Sequence, residues 1–369
     1  MSINNLLYQI HMQLTLNKNQ LIHLIQEPEK MVSIYDLEYS TPEILNISRL
    51  KKNKTFLYYK GKKQVKDGKT LSRIKKLVIP PAWSNVNIAS IDNAHIQATG
   101  RDNKNRKQYK YHTTWNLLKN STKFSKMLEF ADVLPKLRTQ VEKDLLQTNF
   151  NKTKVIAIVI KLLEESHIRI GNSCYTKRNK TYGLSTLRTR HLNLFKDKFN
   201  LEFVGKRGKK HHITIRNKKL LKLINQCEEI PGWELFQYYD ENNEKHTINS
   251  TLINDYIHRI CGDIFSAKDF RTWAGSLIAF QTLKDIESNT DKSKHIIQTV
   301  KNVAKSLNNT PSVSRKYYIH PHIIESYNNG TIAQYFDMAD NLPETNQTQL
   351  QPDEKALKAL IKTYKPVIK

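Results

Sequence analysis

Cysteine and long apolar runs are both scarce in this chain, and their scarcity excludes several classes of protein. The three cysteines, Cys174, Cys227 and Cys261, are odd in number and widely spaced, so they predict neither a disulfide framework nor a CxxC metal site. This usage fits a reducing, intracellular compartment. No apolar run approaches the roughly 18 residues of a membrane-spanning helix. The N-terminal segment is interrupted by Asn, Gln and His and does not resemble a signal peptide.

Motifs that bind nucleotides or catalytic metal ions are also missing. The "GKT" at Gly68–Thr70 would end a phosphate-binding loop only if a glycine stood at position 63, which is Lys63. The sequence contains no HExxH and no GxGxxG, and its carboxylates form no compact cluster along the chain. A magnesium-dependent nuclease or polymerase is therefore not predicted. Any phosphate chemistry must use the cations of Lys and Arg.

Acidic residues are heavily outnumbered. The chain has 34 Asp and Glu against 60 Lys and Arg, a formal charge of +26, and such a balance favours a polyanionic partner, most often nucleic acid. The sequence is also rich in Asn and Ile, which is typical of an AT-rich genome, and such a genome raises the lysine content without a functional cause. Local clusters of basic residues are therefore better evidence than the total.

Two segments concentrate the basic residues. The segment Gly100–His112 carries five Lys or Arg against one acid and interleaves them with Gln108, Tyr109 and Tyr111. Cations can hold phosphates while Gln and Tyr reach bases or sugars, although a charge run alone is more often a solvated loop. The segment 205–219 carries seven Lys or Arg and no acid. A lysine at its turn can contact a ligand or can protect an edge strand from aggregation, and composition leaves both open.

The apolar pattern divides the chain into a β-rich part and a helical part. From about Ile34 to Trp115, short β-prone runs alternate with Gly, Asn and Pro. Within it, "VIPPAW" at 78–83 must be extended or turning, because two prolines cannot continue a helix. From about Thr122 the period becomes helical, and "KVIAIVIKLLEESHIRIG" predicts a helix that stops at Gly171.

Three further elements are predicted in the helical part. Residues 199–215 alternate on both sides of "GKRGKK", which is typical of a β-hairpin. A helix begins at "SAKDF", where Ser266 and Asp269 form a capping box. The segment 295–309 predicts another helix, whose buried face comprises Ile297, Val300, Ala304 and Leu307.

Six stretches occur in one order along the chain: "IPPAW", "HIQATGRDNKNRKQYKYH", "RIGNSCYTKRNKTYGLSTLRTRHL", "FVGKRGKKH", "KDFRTWAG" and "NNTPSVSRKYYIHP". Together they resemble the type IB DNA topoisomerases, specifically the small poxvirus, giant-virus and bacterial branch, over roughly Leu37 to Tyr327. One stretch alone would be weak evidence, but six in the family's order are highly specific. The resemblance implies ATP-independent relaxation of supercoiled DNA through transient cleavage of one strand, strand rotation and religation.

The resemblance also implies a fold. It is α+β, with a small β-rich N-terminal domain and a mostly α-helical catalytic domain of the tyrosine recombinase/type IB topoisomerase fold, which form a C-shaped clamp around duplex DNA. Four regions are expected: an N-terminal extension at 1–33, a β-rich DNA-binding domain at 34–118, a catalytic domain at 119–340, and a polar linker with a short C-terminal helix at 341–369.

Four catalytic residues follow from the resemblance, motif by motif. The first arginine of the family falls on Arg169 in "HIRIG", the hairpin lysine on Lys206 in "FVGK", the second arginine on Arg271 in "KDFRTWAG" and the nucleophile on Tyr318. Tyr317 occupies a position that the family leaves variable. Tyr318 is therefore expected to attack DNA, and Tyr317 to pack or to touch it.

One position departs from the poxvirus pattern. That pattern has a histidine directly before "TP", where this chain has Asn309, and bacterial-type members carry a similar "GNTP". An amide can donate a hydrogen bond to a phosphate oxygen but cannot carry a proton charge. Asn309 is therefore expected to stabilise the transition state and not to act as a general base.

The implied chemistry suits these residue types. A phenol of pKa about 10 is mostly neutral at pH 7, so neighbouring cations must assist attack by Tyr318. Guanidinium groups stay charged and fork two oxygens, which suits Arg169 and Arg271 to the pentavalent transition state. Arg271 is also expected in the first turn of its helix, where backbone N–H groups favour an anion. Lys206 is the candidate general acid for the leaving 5′ oxygen.

The cofactor and partner expectations follow from the same resemblance. The phosphotyrosyl ester conserves bond energy, so no ATP is required. Because the sequence shows no compact carboxylate cluster, no cofactor is expected, and a divalent metal at most stimulates. The partner is double-stranded DNA, especially supercoiled DNA, with no membrane, and the protein acts as a monomer. The location is a virus factory or virion if the protein is viral, and otherwise the cytoplasm or nucleoid. The expected DNA contacts are Lys107, Gln108, Tyr109, Tyr111, Tyr175, Arg207 and Lys268.

Two alternatives stay open at the level of sequence. Tyrosine-type site-specific recombinases share the Arg/Lys/Arg/Tyr chemistry, but they usually carry a histidine where this chain has Lys268, and "HIQATGRD" is a topoisomerase feature. A non-catalytic DNA-packaging protein would explain the charge of +26 and the basic clusters. It would not explain six motifs in order.

Overall fold

The computed structural model describes residues 26–53, 55–286 and 291–364. The described chain divides into two compact units, with the division between Ser125 and Lys126. Most of the extension predicted at 1–33 lies outside the described residues; its last part contains a short helix, α1, at Pro28–Ile34.

A six-stranded antiparallel sheet forms the centre of the first unit. Its strand order is β3-β2-β1-β4-β5-β6, which confirms the β-rich prediction for this part. One helix, α2, is inserted between β3 and β4. The bounds are β1 Ile47–Lys52, β2 Thr55–Lys60, β3 Lys63–Gln64, α2 Gly68–Lys76, β4 Ser84–Ile88, β5 Ile96–Arg101 and β6 Lys107–Tyr111.

Two of the sequence motifs pack against each other in this sheet. "VIPPAW" is extended and turning as predicted, and Arg49 holds it by donating to the carbonyls of Pro80 at 3.1 Å and Trp83 at 2.7 Å. The indole of Trp83 lies against Gly100, where an added Cβ would approach its Cε3 atom to 2.8 Å. The glycine of "GRD" is therefore needed to let the indole pack on β5.

The second unit is mostly helical, with a three-stranded sheet, β7-β8-β9, and a two-stranded sheet, β10-β11. Helix α3 leads into it and begins at Thr113, before the predicted Thr122, because Trp115 and Leu118 are already buried helical positions. The bounds are α3 Thr113–Leu145, α4 Lys152–Ser166, α5 Ser173–Asn179, β7 Leu192–Leu194, β8 Phe199–Val204, β9 Lys210–Ile215, α6 Lys218–Glu228, β10 Gln237–Tyr239, β11 Lys245–Thr247, α7 Ser250–Cys261, α8 Ala267–Lys284, α9 Lys292–Ser306, α10 Pro311–Tyr317, α11 Pro321–Asn329, α12 Ala333–Asn341 and α13 Pro352–Lys362.

The predicted hairpin and the predicted capping box are both confirmed. Strands β8 and β9 pair in antiparallel register from Phe199 with Ile215 to Val204 with Lys210. Ser266 is the N-cap of α8, and the Asp269 carboxylate accepts from its backbone N–H at 2.8 Å.

Two helix predictions were wrong in detail. Helix α4 ends at Ser166 and not at Gly171, because His167 turns into the left-handed region (φ 53°) and donates its N–H to Leu163. In α9 the predicted Ile297 is 53% exposed, whereas Val300, Ala304 and Leu307 are buried with Ile296 and Val303. Two adjacent isoleucines fit the apolar spacing about equally well, so the sequence does not decide which of them faces the core.

A buried ion-pair network joins α13 to the helices before it. Arg138 of α3 makes two hydrogen bonds of 2.8 Å to the Glu354 carboxylate and one of 2.7 Å to Glu164. Glu354, only 3% exposed, also accepts from Trp273 Nε1 of α8 at 2.9 Å. The last described helix is thus bound to the helix that carries Arg271.

Over the part of the chain that the structure describes, no helix combines the length and the apolar character needed to cross a membrane.

Candidate active site

The two adjacent tyrosines have different environments. Tyr318 follows the short helix α10, its N–H donates to Ser314 at 2.9 Å, and its side chain is half-buried. Tyr317 is 41% exposed, with the Lys316 ammonium 5.4 Å from its ring centre. The side chain that faces the interior is the predicted nucleophile.

Helix α8 holds the backbone of Tyr318. Ser276 Oγ donates to the Tyr318 carbonyl at 3.1 Å and accepts from the N–H of His320 at 3.0 Å. Gly275 packs directly against the backbone of Tyr318: an added Cβ would lie 2.7 Å from the Tyr318 carbonyl oxygen. Gly275 and Ser276 thus fix the backbone of Tyr318 against α8, and no motif in the sequence marked Ser276.

Arg271 lies on the same helix and forms the buried side of the site. It is only 4% exposed, and its Cζ atom is 5.3 Å from the Tyr318 ring centre. The guanidinium donates to the carbonyl of His167 and, at 2.8 Å, to that of Leu307. Arg271 is the fifth residue of α8, so its predicted place in the first helical turn was wrong. Backbone carbonyls, and not the helix N-terminus, set its position.

Arg169 and Asn309 meet beside this group. An Arg169 Nη2 donates to Asn309 Oδ1 at 2.8 Å. The loop that carries Arg169 is fixed by Leu184, whose N–H donates to the Arg169 carbonyl at 2.9 Å. Gly183 permits this approach, because an added Cβ would lie 2.7 Å from the Cα of Gly171.

Lys206 occupies the turn between β8 and β9. The Gly205 N–H closes this turn by donating to the Lys209 carbonyl at 2.7 Å, and Arg207 lies in the left-handed region with φ 65°. The side chains of both residues are exposed. Desolvation, and then the nearby charge of Arg169, lower the pKa of Lys206, while Tyr318 opposes the shift. The lysine is therefore within electrostatic range of both Arg169 and Tyr318.

Charge and burial compete at the nucleophile. Burial raises the pKa of Tyr318, but the cations Arg271 and Arg169 and hydrogen bonds with Arg271 and Asn309 outweigh burial and lower it. For Arg271 itself, burial and then Arg169 lower the pKa to about 10. Both shifts favour an anion in the space that these residues share.

The structure thus brings together five predicted residues, Tyr318, Arg271, Arg169, Asn309 and Lys206. Of the predicted DNA contacts, Arg207 and Lys268 are close enough to Lys206 to lower its pKa. Tyr175 lies on α5, three residues beyond the Asn172 that caps this helix, and is 56% exposed.

The other predicted DNA contacts belong to the first unit, on strand β6. The rings of Tyr109 and Tyr111 stack with centres 5.8 Å apart, and Lys107 Nζ lies 5.5 Å from the Tyr109 ring centre. Gln108 donates to Asp102 at 3.0 Å, and Arg106 forms an ion pair of 2.6 Å with the same carboxylate. Asp102 therefore orders a strand that alternates cationic, amide and aromatic side chains.

Sequence reasoning missed His211 and Asn308, which pack around the Lys206 turn. His211 is buried on β9, and Asn308 Nδ2 donates to the Lys210 carbonyl at 3.2 Å. Both lie within the stretches "FVGKRGKKH" and "NNTPSVSRKYYIHP", but the resemblance assigned neither of them a role.

One group of potential metal ligands lies elsewhere. Asp240, Glu244 and His246 have ligand atoms within 4.8 Å of one another around the β10–β11 turn. Asp240 already accepts from His246 at 2.8 Å and from two backbone N–H groups. The group shares no residue with the active site.

Comparison with known proteins agrees with this geometry. The family model described as "Eukaryotic DNA topoisomerase I, catalytic core" matches residues 104–344, and "Bacterial DNA topoisomerase IB, N-terminal domain" matches residues 55–102. A "DNA topoisomerase 1B" of Acanthamoeba polyphaga mimivirus is 34% identical over 287 residues, which cover 75% of this chain and 85% of the relative. The "DNA topoisomerase 1B" of Vaccinia virus (strain Copenhagen) is 26% identical over 235 residues, 61% of this chain and 70% of the relative.

A fungal relative covers less. The "DNA topoisomerase 1" of Mycosarcoma maydis is 27% identical over 210 residues, 51% of this chain but only 20% of the relative. The matched part therefore corresponds to about a fifth of that fungal relative. The arrangement of Tyr318, Arg271, Arg169, Asn309 and Lys206, together with the match of the catalytic-core model over residues 104–344, shows that this chain belongs to the type IB DNA topoisomerase family.

Proposed function

We propose that this protein relaxes supercoiled duplex DNA by reversible transesterification at Tyr318. The observation that carries the proposal is the environment of the phenol: Arg271, Arg169 and Asn309 surround it and lower its pKa despite its burial. A structural tyrosine needs at most one cation against its ring. Two guanidinium groups that make no ion pair within the described residues suit a nucleophile beside a phosphodiester.

In the forward step, the Tyr318 oxygen attacks a phosphodiester phosphorus. A bond forms between this oxygen and phosphorus, the bond from phosphorus to the 5′ oxygen breaks, and the phenolic proton passes to solvent. A 3′-phosphotyrosyl ester and a free 5′ hydroxyl result. After strand rotation the 5′ hydroxyl attacks back, releases Tyr318 and reseals the strand.

The residues divide the work by charge. Arg169 and Arg271 neutralise the non-bridging oxygens of the pentavalent transition state, because planar guanidinium groups can each hold two oxygens. Asn309, already bonded to Arg169, adds an amide contact to the same phosphoryl group. Lys206 supplies the proton that the leaving 5′ oxygen needs, and its lowered pKa makes it a better donor than an ordinary lysine.

The proposal also covers how the protein binds DNA and why the reaction needs no external energy source. The ester conserves bond energy, so the reaction runs without ATP. The cations of Arg169, Arg271 and Lys206 stabilise the developing charge, so no metal is obligatory. The protein works as a monomer that clamps duplex DNA and prefers supercoiled substrate. Strand β6, with Lys107, Gln108, Tyr109 and Tyr111, contacts the duplex, and Tyr175, Arg207 and Lys268 contact DNA near the cleaved phosphate.

Relaxation of supercoiled plasmid in EDTA tests the proposal, with wild type against Tyr318→Phe. Both positive and negative supercoils should relax, and SDS should trap a covalent protein–DNA adduct only with wild type. An absolute requirement for magnesium would contradict the mechanism. Binding without any adduct would indicate a DNA-packaging protein, and activity that depends on paired sites would indicate a recombinase.

A further inference from the structure

We propose that His211 is a positioning residue, which sets the turn that carries Lys206. His211 lies on β9, is only 6% exposed, and stacks on Phe203 of β8 with ring centres 4.5 Å apart and planes 12° from parallel. The next residue, His212, points to the opposite face; its side chain is 65% exposed and pairs with Glu202 at 3.0 Å. Strand alternation thus buries one histidine and exposes the other.

The backbone of the turn rests directly on the His211 ring. At Gly205, the residue before Lys206, an added Cβ would lie 2.7 Å from His211 Cδ2 and closer still to Nε2. The φ of Gly205 is −96°, which any residue can adopt. Space, and not backbone freedom, therefore requires glycine here, and the ring defines how closely the turn approaches the rest of the site.

The same ring borders the two catalytic arginines. Burial, then the charges of Arg169 and Arg271, lower the pKa of His211 to about 4. The imidazole is therefore neutral near pH 7 and does not repel the two cations or Lys206. Its Nδ1 is buried and has no hydrogen-bond partner within the described residues, so the ring contacts that the structure shows are those with Phe203 and Gly205.

A second contact ties the turn to the nucleophile. Asn308, next to Asn309, donates to the carbonyl of Lys210, the residue before His211. The turn is thus supported by His211 through Gly205 and connected through Asn308 to the segment that leads to Tyr318. A fixed distance between Lys206 and the scissile phosphate follows, and this role rests on the proposed function.

The test compares single-turnover cleavage of two DNA substrates, one with an ordinary 5′ oxygen and one with a 5′-bridging sulfur at the scissile phosphate. A thiolate leaves without a proton. The sulfur substrate should therefore restore the rate only of variants whose defect is proton donation by Lys206. We expect His211→Ala to slow cleavage of the oxygen substrate by about 10²-fold, which is the cost of a catalytic group misplaced by about 1 Å. On the substrate with the 5′-bridging sulfur, His211→Ala should approach the wild-type rate. His212→Ala, the matched control, should behave like wild type on both.

The ratio of the two rates keeps the test valid if His211→Ala folds poorly, because a loss of active protein lowers both rates equally. Equal slowing on both substrates would overturn the proposal, and so would wild-type rates on both. The proposed function fails separately: wild type would then form no adduct at all.

A double substitution supplies an independent measurement. Gly205→Ala should slow cleavage of the oxygen substrate because its methyl group meets the His211 ring. In the His211→Ala background the ring is absent, so adding Gly205→Ala should cause little further loss. Full additivity of the two losses would show that Gly205 and His211 act separately and would contradict the proposal.

Discussion

The two sides of the active site differ in how much solvent their cationic side chains meet. On the buried side, Arg271 of α8 is 4% exposed, is bonded to two backbone carbonyls and lies against the Tyr318 ring. On the hairpin side, Lys206 and Arg207 are exposed in a short turn. One catalytic cation, Arg271, thus lies in the core, and another, Lys206, lies on a surface turn.

This difference matches two different demands of the reaction. Charge on the phosphoryl oxygens must be stabilised by groups that need no reorganisation, which favours a fixed, buried guanidinium. A general acid must reach the leaving oxygen and also release a proton, which favours an amine on an accessible turn whose pKa is lowered by partial desolvation and by neighbouring cations. Substitutions on the two sides should therefore lower the cleavage rate in ways that can be distinguished by changing the leaving group.

The largest effect is expected at the nucleophile itself. Tyr318→Phe removes the only atom that can form the ester, so covalent adduct and plasmid relaxation should fall below detection while DNA binding persists. Tyr317→Phe should keep most activity, because that ring faces solvent. SDS trapping on a labelled duplex measures both, and exchanged phenotypes would show that the assignment is shifted by one residue.

Lys206→Ala should lower the cleavage rate by about 10²–10⁴-fold, the usual contribution of a positioned proton donor. A 5′-bridging sulfur should restore most of the rate. The pH profile gives a second measurement: the acid form is lost as pH rises through the lowered pKa of Lys206, so wild-type cleavage should decline on the alkaline side. That decline should be absent in Lys206→Ala, and its persistence would assign the proton to another group.

Arg271→Ala should lower cleavage by about 10²–10³-fold, as for removal of one oxyanion donor. Sulfur substitution should rescue it poorly, because the phosphoryl oxygens still need a cation whatever the leaving group is. Single-turnover rates on both substrates test this contrast. Rescue equal to that of Lys206→Ala would remove the distinction between the buried side and the hairpin side.

The smallest effect is expected at the neighbours of Lys206 on the turn. Arg207→Ala and Lys209→Ala should leave the chemical step nearly unchanged. If each contacts one phosphate, each loss should reduce the slope of log affinity against log salt by about 0.9. Binding titrations over a range of salt concentrations measure this slope, and a large loss of cleavage rate with an unchanged slope would place these residues in the chemistry.

The sequence predicts elements with strong local signals and misses features that depend on tertiary contacts. The β8–β9 hairpin and the Ser266–Asp269 capping box were predicted because turn chemistry and cap spacing are local. The end of α4 at His167 could not be predicted, since a non-glycine residue enters the left-handed region there. The burial of Ile296 in place of Ile297 depends on which neighbouring helix is present.

The site shows the same limit. Motifs identified Tyr318, Arg271, Arg169 and Lys206, because the resemblance covers each of them. They did not identify the supports. The contact from Asn308 to Lys210 joins segments about 100 residues apart, and the packing of Gly205 on the His211 ring depends on how the hairpin turn folds back on β9. No local pattern encodes such contacts.

The network around Glu354 has a consequence for how the protein is made. Synthesis proceeds from the N-terminus, and domains fold as units as they emerge. Arg138 and Trp273 acquire their buried carboxylate partner from α13, so these two hydrogen-bonding groups gain that partner only after Glu354 has left the ribosome. A nascent chain that already displays Tyr318 still lacks this support for α8.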